Sequence, residues 1–205
     1  MTNTDLKYNS GFGNEFATEA LPGALPEGRN SPQKVKYGLY AEQLTGSPFT
    51  APRKENKRSW LYRIHPAVKQ KPFQLLKHKT LESAPFNDHP ASPNQMRWDP
   101  LPIPTKYTDF IDGLVTVAGN GCTDSWSGLG VHLYAANKSM DLGKRYFYNA
   151  DGEMLFVPQE GELLLRTEFG IISAQPGEII VVPRGVRFAA DFPDGPSRGY
   201  VCENY

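Results

Sequence analysis

The strongest constraint on the fold of this 205-residue chain is a short apolar run close to its C-terminus. The segment Gly177–Phe188 reads GEIIVVPRGVRF, in which a glycine is followed after five residues by Pro-Arg-Gly and then, after two further residues, by Phe188. Four β-branched residues in a row favour a buried strand over a helix, and Pro-Arg-Gly predicts a tight turn directly after it. The segment therefore predicts a strand bounded by turns.

The same pattern of short apolar runs between turn residues extends from residue 114 to the C-terminus. Eight strands are predicted there: Leu114–Ala118, Gly130–Ala136, Met154–Val157, Glu162–Glu168, Ile171–Ala174, Ile179–Val182, Val186–Ala190 and Gly199–Glu203. Turn pairs such as Asp-Gly, Glu-Gly and Pro-Gly separate several of them. Many short strands at this spacing predict an all-β jelly-roll sandwich or barrel.

The spacing within Gly177–Phe188 resembles the second sequence motif of the cupin family, whose barrels place a metal-binding histidine at the last position. Phe188 stands at that position in this chain. Because a phenylalanine ring offers no lone pair, it cannot ligate an ion. We therefore expect a cupin-like barrel that holds no metal through this motif.

The first cupin motif, which normally supplies His-x-His and a glutamate, is also altered. Tyr146 and Tyr148 stand where the two histidines would be, and Glu153 remains. One carboxylate and two phenols without an imidazole would be an unusual ferrous site. We expect Tyr146, Tyr148 and Phe188 to fill the barrel core, and Glu153 to be a hydrogen-bonded or exposed strand residue instead of a ligand.

The four histidines are scattered, and no two of them have the spacing that brings a pair of imidazoles onto one ion. His132 lies in an apolar predicted strand. A hydrogen-bonded histidine within a sheet is the interpretation that this position favours.

The N-terminal half differs in kind, because prolines and glycines interrupt nearly every segment before residue 104. Proline fixes φ and lacks an N–H donor, so long helices and central strands are not expected there. Many large aromatic residues nevertheless require burial. We predict an ordered, largely irregular arm over residues 1–110, with a strand at Ser59–Ile64, that packs on the barrel or on a neighbouring subunit. Residues 111–205 form the predicted barrel.

Composition excludes several classes of partner. The 22 basic and 22 acidic residues balance, so no electrostatic footprint points to nucleic acid or to an anionic membrane. Cys122 and Cys202 lie far apart and are expected to be free thiols in a reducing compartment. No signal peptide and no apolar run of about 18 residues occurs, which predicts a cytoplasmic protein.

Several segments, taken together, resemble one enzyme family. They are Tyr8–Glu15, Leu25–Gly28, Leu39–Leu44, Asn56–Arg63, Arg97–Trp98, Phe147–Asn149, Val157–Pro158, Thr167–Gly170 and Arg198–Tyr200. The sequence NKRSWLYR at Asn56–Arg63 is specific on its own. In order and content the segments are similar to the N-terminal portion of homogentisate 1,2-dioxygenase.

This resemblance implies an enzyme that opens the homogentisate ring with O2, giving maleylacetoacetate in tyrosine and phenylalanine catabolism. In that family Fe(II) is held by two histidines and a glutamate in the C-terminal half, which also carries the general-base histidine. No position of this chain matches those motifs, so no catalytic residue and no metal ligand is assigned. We expect the chain by itself to bind no iron and to be inactive.

The family assembles as a homo-oligomer, a hexamer. The resemblance therefore suggests Tyr40, Glu42, Gln43 and Tyr134 as substrate-pocket or subunit-contact residues. For Glu42 the alternative is a buried side chain that hydrogen-bonds the backbone of the arm.

The last residues, Val201–Tyr205, still have the pattern of a strand, which favours an N-terminal fragment. Such a fragment is expected to expose an apolar face and to be poorly soluble. The alternative is a self-contained, metal-free cupin that binds a small ring compound or has a structural role.

Overall fold

The computed structural model describes residues 6–8, 22–24, 36–47, 50–55, 58–72, 74–86, 90, 92–97, 99–141 and 143–205. These residues form ten β-strands and four single-turn 3-10 helices, and no α-helix occurs among them. The chain divides into two compact units, one covering Tyr8–Leu76 and one formed by Lys77–Tyr205 with the described residues of Met1–Lys7. The all-β class predicted from the sequence is confirmed.

The described residues of the smaller unit include one pair of antiparallel strands. Strand β1 covers Tyr40–Gly46 and β2 covers Arg58–Arg63, with Tyr40 opposite Arg63 and Gln43 opposite Trp60. The strand predicted at Ser59–Ile64 is thus present, one residue earlier. Single turns of 3-10 helix at Lys36–Gly38, Arg53–Glu55 and Ala67–Lys69 flank the two strands.

The larger unit contains the other eight strands, each of which overlaps a strand predicted from the sequence. They are β3 Leu114–Cys122, β4 Ser127–Ala136, β5 Glu153–Glu160, β6 Leu163–Thr167, β7 Gly170–Ala174, β8 Ile180–Val182, β9 Phe188–Asp191 and β10 Ser197–Asn204. One sheet has the order β3-β4-β10-β5-β8 and the other has the order β7-β6-β9. All the pairings are antiparallel. This arrangement is the β-sandwich that the turn spacing predicted, and it is cupin-like, as the motif resemblance implied.

Strand periodicity decides which side chains enter the sandwich. In β10, Ser197, Gly199, Val201 and Glu203 are buried while the residues between them are half-buried. The interior joins the two sheets through aromatic rings, since Phe156 of β5 and Phe188 of β9 lie 5.6 Å apart between ring centroids. Because side chains alternate between the two faces of a strand, every second residue of β10 points into the core.

The segment 77–110, which the sequence had assigned to the arm, belongs to the compact unit of the barrel. The backbone N–H of Thr116 donates to the Thr80 carbonyl at 2.7 Å, and the side-chain amide of Asn137 donates to the Pro104 carbonyl at 2.7 Å. The observed division of the chain thus falls after Leu76, not after residue 110.

Among the described residues, no helix is long and apolar enough to cross a membrane. A cytoplasmic location stays a prediction.

Candidate functional site

The position of the missing cupin histidine lies in a cluster of aromatic rings. Phe188 is 2% exposed. Its ring centroid lies 5.6 Å from Phe156, 5.7 Å from Phe147 and 5.9 Å from Phe110. Edge-to-face contacts at these distances are favourable for aromatic rings. Phe188 therefore fills space in the core and offers no ligand.

The two tyrosines of the altered first motif are placed differently from the expectation that they fill the core. Tyr146 is 55% exposed, and Tyr148 is half-buried beneath the Arg187 guanidinium, which lies 5.1 Å from its ring centroid. The cause is the backbone bridge between Phe147 and Phe188, whose N–H and C=O groups pair at 2.9 Å in both directions. This bridge brings the Phe147 ring against Phe188, and alternation leaves both tyrosines on the other side.

Glu153 is a polar residue at the start of strand β5 in the large sheet. Its carboxylate accepts a hydrogen bond from the Asn204 side-chain amide at 3.4 Å, and it lies 3.9 Å from the Arg184 guanidinium. The side chain is partly exposed and lies on the same outward face of β5 as Leu155 and Val157. It is therefore a hydrogen-bonded strand residue on the outer side of the barrel.

Three of the four pocket or subunit-contact candidates lie in the hairpin unit. Glu42 is half-buried and accepts hydrogen bonds from the Arg63 guanidinium and, at 2.6 Å, from the Ala67 backbone N–H. The second is the backbone hydrogen bond of the alternative considered for Glu42, although the side chain is not fully buried. Tyr40 is exposed, with the Lys69 ammonium 5.3 Å from its ring centroid. Gln43 is exposed on the opposite face of the hairpin, beside Trp60. A role for these three side chains in a pocket or a contact stays a prediction.

The fourth candidate, Tyr134, lies in the core of the barrel unit and is fully buried. Its hydroxyl is hydrogen-bonded to the Ser197 hydroxyl at 3.0 Å, and its ring stacks on Phe192 at 6.3 Å. Burial raises the pKa of Tyr134 to about 12, against the smaller opposing effect of the Ser197 hydrogen bond. Within this chain Tyr134 is a packing residue with a satisfied hydroxyl.

An extended network of buried polar groups around a carboxylate was not anticipated as a site, although a hydrogen-bonded His132 was. Glu203 of β10 lies with one carboxylate oxygen 3.2 Å from His132 Nε2 and 3.1 Å from the Tyr205 hydroxyl. Its other oxygen accepts a hydrogen bond from the Asn149 amide. His132 Nδ1 lies 2.9 Å from the Thr116 hydroxyl. Because an ionised carboxylate only accepts, His132 and Tyr205 are the donors to Glu203.

These contacts keep Glu203 ionised. Burial alone would raise the pKa of its carboxyl, but hydrogen bonds from His132, Asn149 and Tyr205 and the attraction of His132 outweigh burial and lower it. Burial and the neighbouring Glu203 charge, in turn, raise the pKa of the Tyr205 hydroxyl. Since the members bond to each other and His132, Glu203 and Tyr205 are nearly inaccessible, the network stabilises the barrel.

A comparison with known protein families identifies the family of this chain. The family model described as homogentisate 1,2-dioxygenase N-terminal matches residues 7–205. The chain belongs to this family.

Solved structures align with smaller parts of the chain. A cupin-2 domain protein from Shewanella frigidimarina covers 38% of this chain and 71% of its own, at 21% identity and a TM-score of 0.33. A putative ethanolamine utilization protein Q from Salmonella typhimurium covers 45% and 68%, at 16% identity and 0.36. A cupin 2 conserved barrel domain protein from Leptotrichia buccalis covers 45% and 40%, at 13% identity and 0.37.

The described residues do not form a site for the iron that the sequence resemblance implies for the family. In the described part of the chain, no three His, Cys, Asp or Glu side chains are grouped so that they could hold a metal ion. His78 uses Nδ1 to accept the Leu81 N–H at 3.0 Å and Nε2 to donate to the Ile111 carbonyl at 2.8 Å, so both ring nitrogens are engaged. His89 lies outside the described residues.

The dioxygenase N-terminal unit also has an open surface cleft of about 320 Å³. At its base Arg145 forms a bidentate pair with Asp112, at 2.6 and 2.8 Å, and a third hydrogen bond with Asp109 at 2.7 Å. The Arg145 hydrogen bond lowers the pKa of Asp112. The carboxylates of Asp109 and Asp112 neutralise the Arg145 guanidinium. The geometry therefore fits a structural ion-pair cluster that joins residues 109–112 to the loop before β5.

Proposed function

We propose that this chain serves as the N-terminal part of a homogentisate 1,2-dioxygenase, the enzyme that cleaves the homogentisate ring with O2 to maleylacetoacetate in tyrosine and phenylalanine catabolism. The observation that carries the proposal is the family match over residues 7–205. The Fe(II), homogentisate and O2 sites then lie on residues outside this chain, and the complete enzyme is a homo-oligomer, a hexamer.

The role of the barrel in this proposal is that of a scaffold. Phe188 and its neighbouring rings occupy the place where a cupin would hold a metal, and the polar residues nearby are bonded to each other. Side chains of this kind give a rigid, well-packed unit and no ligand set for iron. The alternative, a self-contained module that binds a ring compound inside the barrel, has less support because the same rings pack the interior.

The test is homogentisate-dependent O2 uptake with Fe(II) and a reductant supplied. We expect no uptake by the chain alone, and uptake when it is mixed with a separately expressed C-terminal half of a homogentisate 1,2-dioxygenase. An inactive mixture would contradict the family role. Uptake by the chain alone, in proportion to bound iron, would contradict the scaffold role and would point to Tyr146, Tyr148, Glu153 or a histidine as ligands.

Iron retention gives a second readout with a matched variant. We expect neither the wild type nor Phe188→His to retain stoichiometric Fe(II) after desalting, because one imidazole among rings lacks further ligands. Retention of one iron per chain by Phe188→His, with an unchanged circular dichroism spectrum, would show that the other ligands are in place.

A further inference from the structure

The surface cleft described above is lined largely by the long loop between β4 and β5, residues 137–152. The described residues of this loop form no helix or strand, and connections of such length that lack them are usually functional. The barrel holds the loop in place. The Met140 N–H donates to the Ala190 carbonyl at 2.9 Å, and the Phe192 N–H donates to the Ser139 hydroxyl at 3.0 Å. The cleft is therefore formed without a ligand, as most small-molecule sites are.

The floor of the cleft consists of ionic groups that already bind each other. Both carboxylate oxygens of Asp112 and one of Asp109 accept hydrogen bonds from Arg145. The other oxygen of Asp109 accepts a hydrogen bond from the Asp112 backbone N–H at 3.0 Å. The floor is therefore rigid, and the charge of a ligand has to be matched by the other side chains that line the cleft.

Those other side chains offer more hydrogen-bond donors than acceptors. Lys138 and Lys144 are exposed, and among the described residues neither ammonium group has a hydrogen-bond or ion-pair partner. The Ser139 hydroxyl accepts a hydrogen bond from the Phe192 N–H and still has its own proton to donate. In this described set Asp141 supplies the only carboxylate. Two ammonium groups and a hydroxyl against one carboxylate favour a ligand with an anionic acceptor group.

The size of the cleft and an exposed aromatic ring narrow the class of ligand. The cleft has a volume of about 320 Å³, which is near the lower end of the range for small-molecule sites, about 300 Å³. The Tyr107 side chain lines the cleft and is 88% exposed. A ring in the ligand would remove apolar surface of Tyr107 from water and would add a favourable contact between two aromatic rings. The cleft therefore suits a small acid with an aromatic ring.

We propose that this cleft binds a small aromatic carboxylic acid, whose carboxylate lies between the Lys138 and Lys144 ammonium groups and whose ring packs on Tyr107. The carboxylate can belong to a simple acid or to an aromatic amino acid, whose ammonium group then pairs with Asp141. Because the acidic and basic residues of the lining balance overall, the cleft suits both forms. This site is separate from ring cleavage, whose residues lie outside this chain in the function proposed above.

The first experiment titrates the isotope-labelled chain with phenylacetate, phenylalanine, phenethylamine and inorganic phosphate at constant ionic strength, and follows the backbone amide shifts by NMR. We expect phenylacetate and phenylalanine to shift the amides of residues 137–145 in a saturable way, with dissociation constants of about 1 mM. Phenethylamine has the ring without the carboxylate and should cause no saturable shift. Two results would overturn the proposal: no saturable shift with either acid, or phosphate binding as tightly as phenylacetate, which would indicate a general anion site.

Matched variants then locate the carboxylate of the ligand. Lys138→Gln and Lys144→Gln are each expected to weaken phenylacetate binding about fivefold, because water and salt partly screen a charge-assisted hydrogen bond to an exposed lysine. Lys71→Gln removes the same charge from an exposed position of the smaller unit that does not line the cleft, and should leave binding unchanged. Equal losses in all three variants would reflect net charge alone and would overturn the proposal. Circular dichroism establishes that each variant is folded.

Asp141→Asn tests the orientation of the ligand and distinguishes the two kinds of acid. The substitution leaves the Asp141 backbone carbonyl, which accepts hydrogen bonds from the Lys144 and Arg145 N–H groups. Phenylacetate should bind about twofold more tightly to this variant, because a like charge is removed, whereas phenylalanine should bind about threefold more weakly, because its ammonium group loses a partner. Opposite changes for the two acids would support the proposed placement. The same change for both would overturn it, because Asp141 would then not contact the ammonium group.

Discussion

Two neighbouring positions of β4 place their side chains in opposite environments on the same face of the sheet. Tyr134 lies among the aromatic rings that surround Phe110, whereas His132, two residues earlier, lies in the network around Glu203. Both regions are buried and both belong to the interior of the same sandwich. The first is stabilised by the burial of rings, and the second by hydrogen bonds that each need a partner.

The difference shows two ways in which the interior of one sandwich is stabilised. Where a ligand would be needed, Phe188 replaces a polar group by a ring that neighbouring rings accommodate. Where polar groups remain, their donors and acceptors are used within the barrel. Neither region leaves a set of free ligands, and the two should respond differently to truncation, to charge removal and to pH.

The largest expected effect is that of Phe188→Ala. Removing a ring from a cluster of four leaves a cavity that the rigid sheets cannot close, and we expect a loss of roughly 4 kcal/mol in the free energy of unfolding. Urea denaturation followed by circular dichroism measures it, and Phe188→Leu, which retains most of the apolar volume, should lose less than half as much. A loss below about 1 kcal/mol for the alanine variant would contradict the assignment of Phe188 to a tightly packed core.

Glu203→Ala is expected to be the next most damaging change, at roughly 3 kcal/mol, for a different reason. The small cavity matters less than the buried donors of His132, Asn149 and Tyr205, which are all left without their acceptor. His132→Ala combined with Glu203→Ala should cost much less than the sum of the two single changes, since each already breaks the same contact. Additive losses in that double-mutant cycle would argue against a coupled network.

The pH dependence of the free energy of unfolding distinguishes the two regions without removing a large side chain. The pKa of Glu203 in the folded state lies below its ordinary value of 4.5, so its contribution to stability is present above pH 4.5 and is lost as the pH falls through the folded-state pKa. The stability difference between wild type and Glu203→Gln, measured by urea denaturation, should therefore shrink as the pH falls below 4.5. The difference between wild type and Phe188→Leu should stay constant, because no group in that contact titrates.

The sequence predicted the strands of the barrel well, because turn residues and apolar runs mark them locally. Strand β1, Tyr40–Gly46, was not predicted, since Ala-Glu-Gln-Leu carries little strand preference and the pairing with β2 stabilises it. The orientation of Tyr146 and Tyr148 was not predicted either. Three aromatic residues in succession show no alternation, and only the bridge between Phe147 and Phe188 decides which ring enters the core.

The network around Glu203 could not be predicted from the sequence, for a different reason. Its members are far apart in the chain, 71 residues in the case of His132 and Glu203, and only the pairing of β4 with β10 brings them together. One signal was available: Glu203 follows Val201 by two residues in an apolar strand, and period two assigns both to the interior. A buried carboxylate requires donors, so a search for them could have started from that position.

The smallest expected effect tests whether burial or the number of ionic contacts determines how much a polar cluster contributes to the free energy of unfolding. Arg145 makes as many contacts with carboxylates as Glu203 makes with its donors, but Asp112 is half exposed at the surface cleft. Asp112→Asn should therefore reduce the free energy of unfolding by only about 0.5–1 kcal/mol, since water and salt screen the pair and Asp109 still neutralises Arg145. Asp124→Asn, at an exposed position of the β3–β4 connection, is the control and should have no measurable effect. If Asp112→Asn cost as much as Glu203→Ala, contact geometry would outweigh burial, and the Arg145 cluster would be as important for the barrel as its interior network.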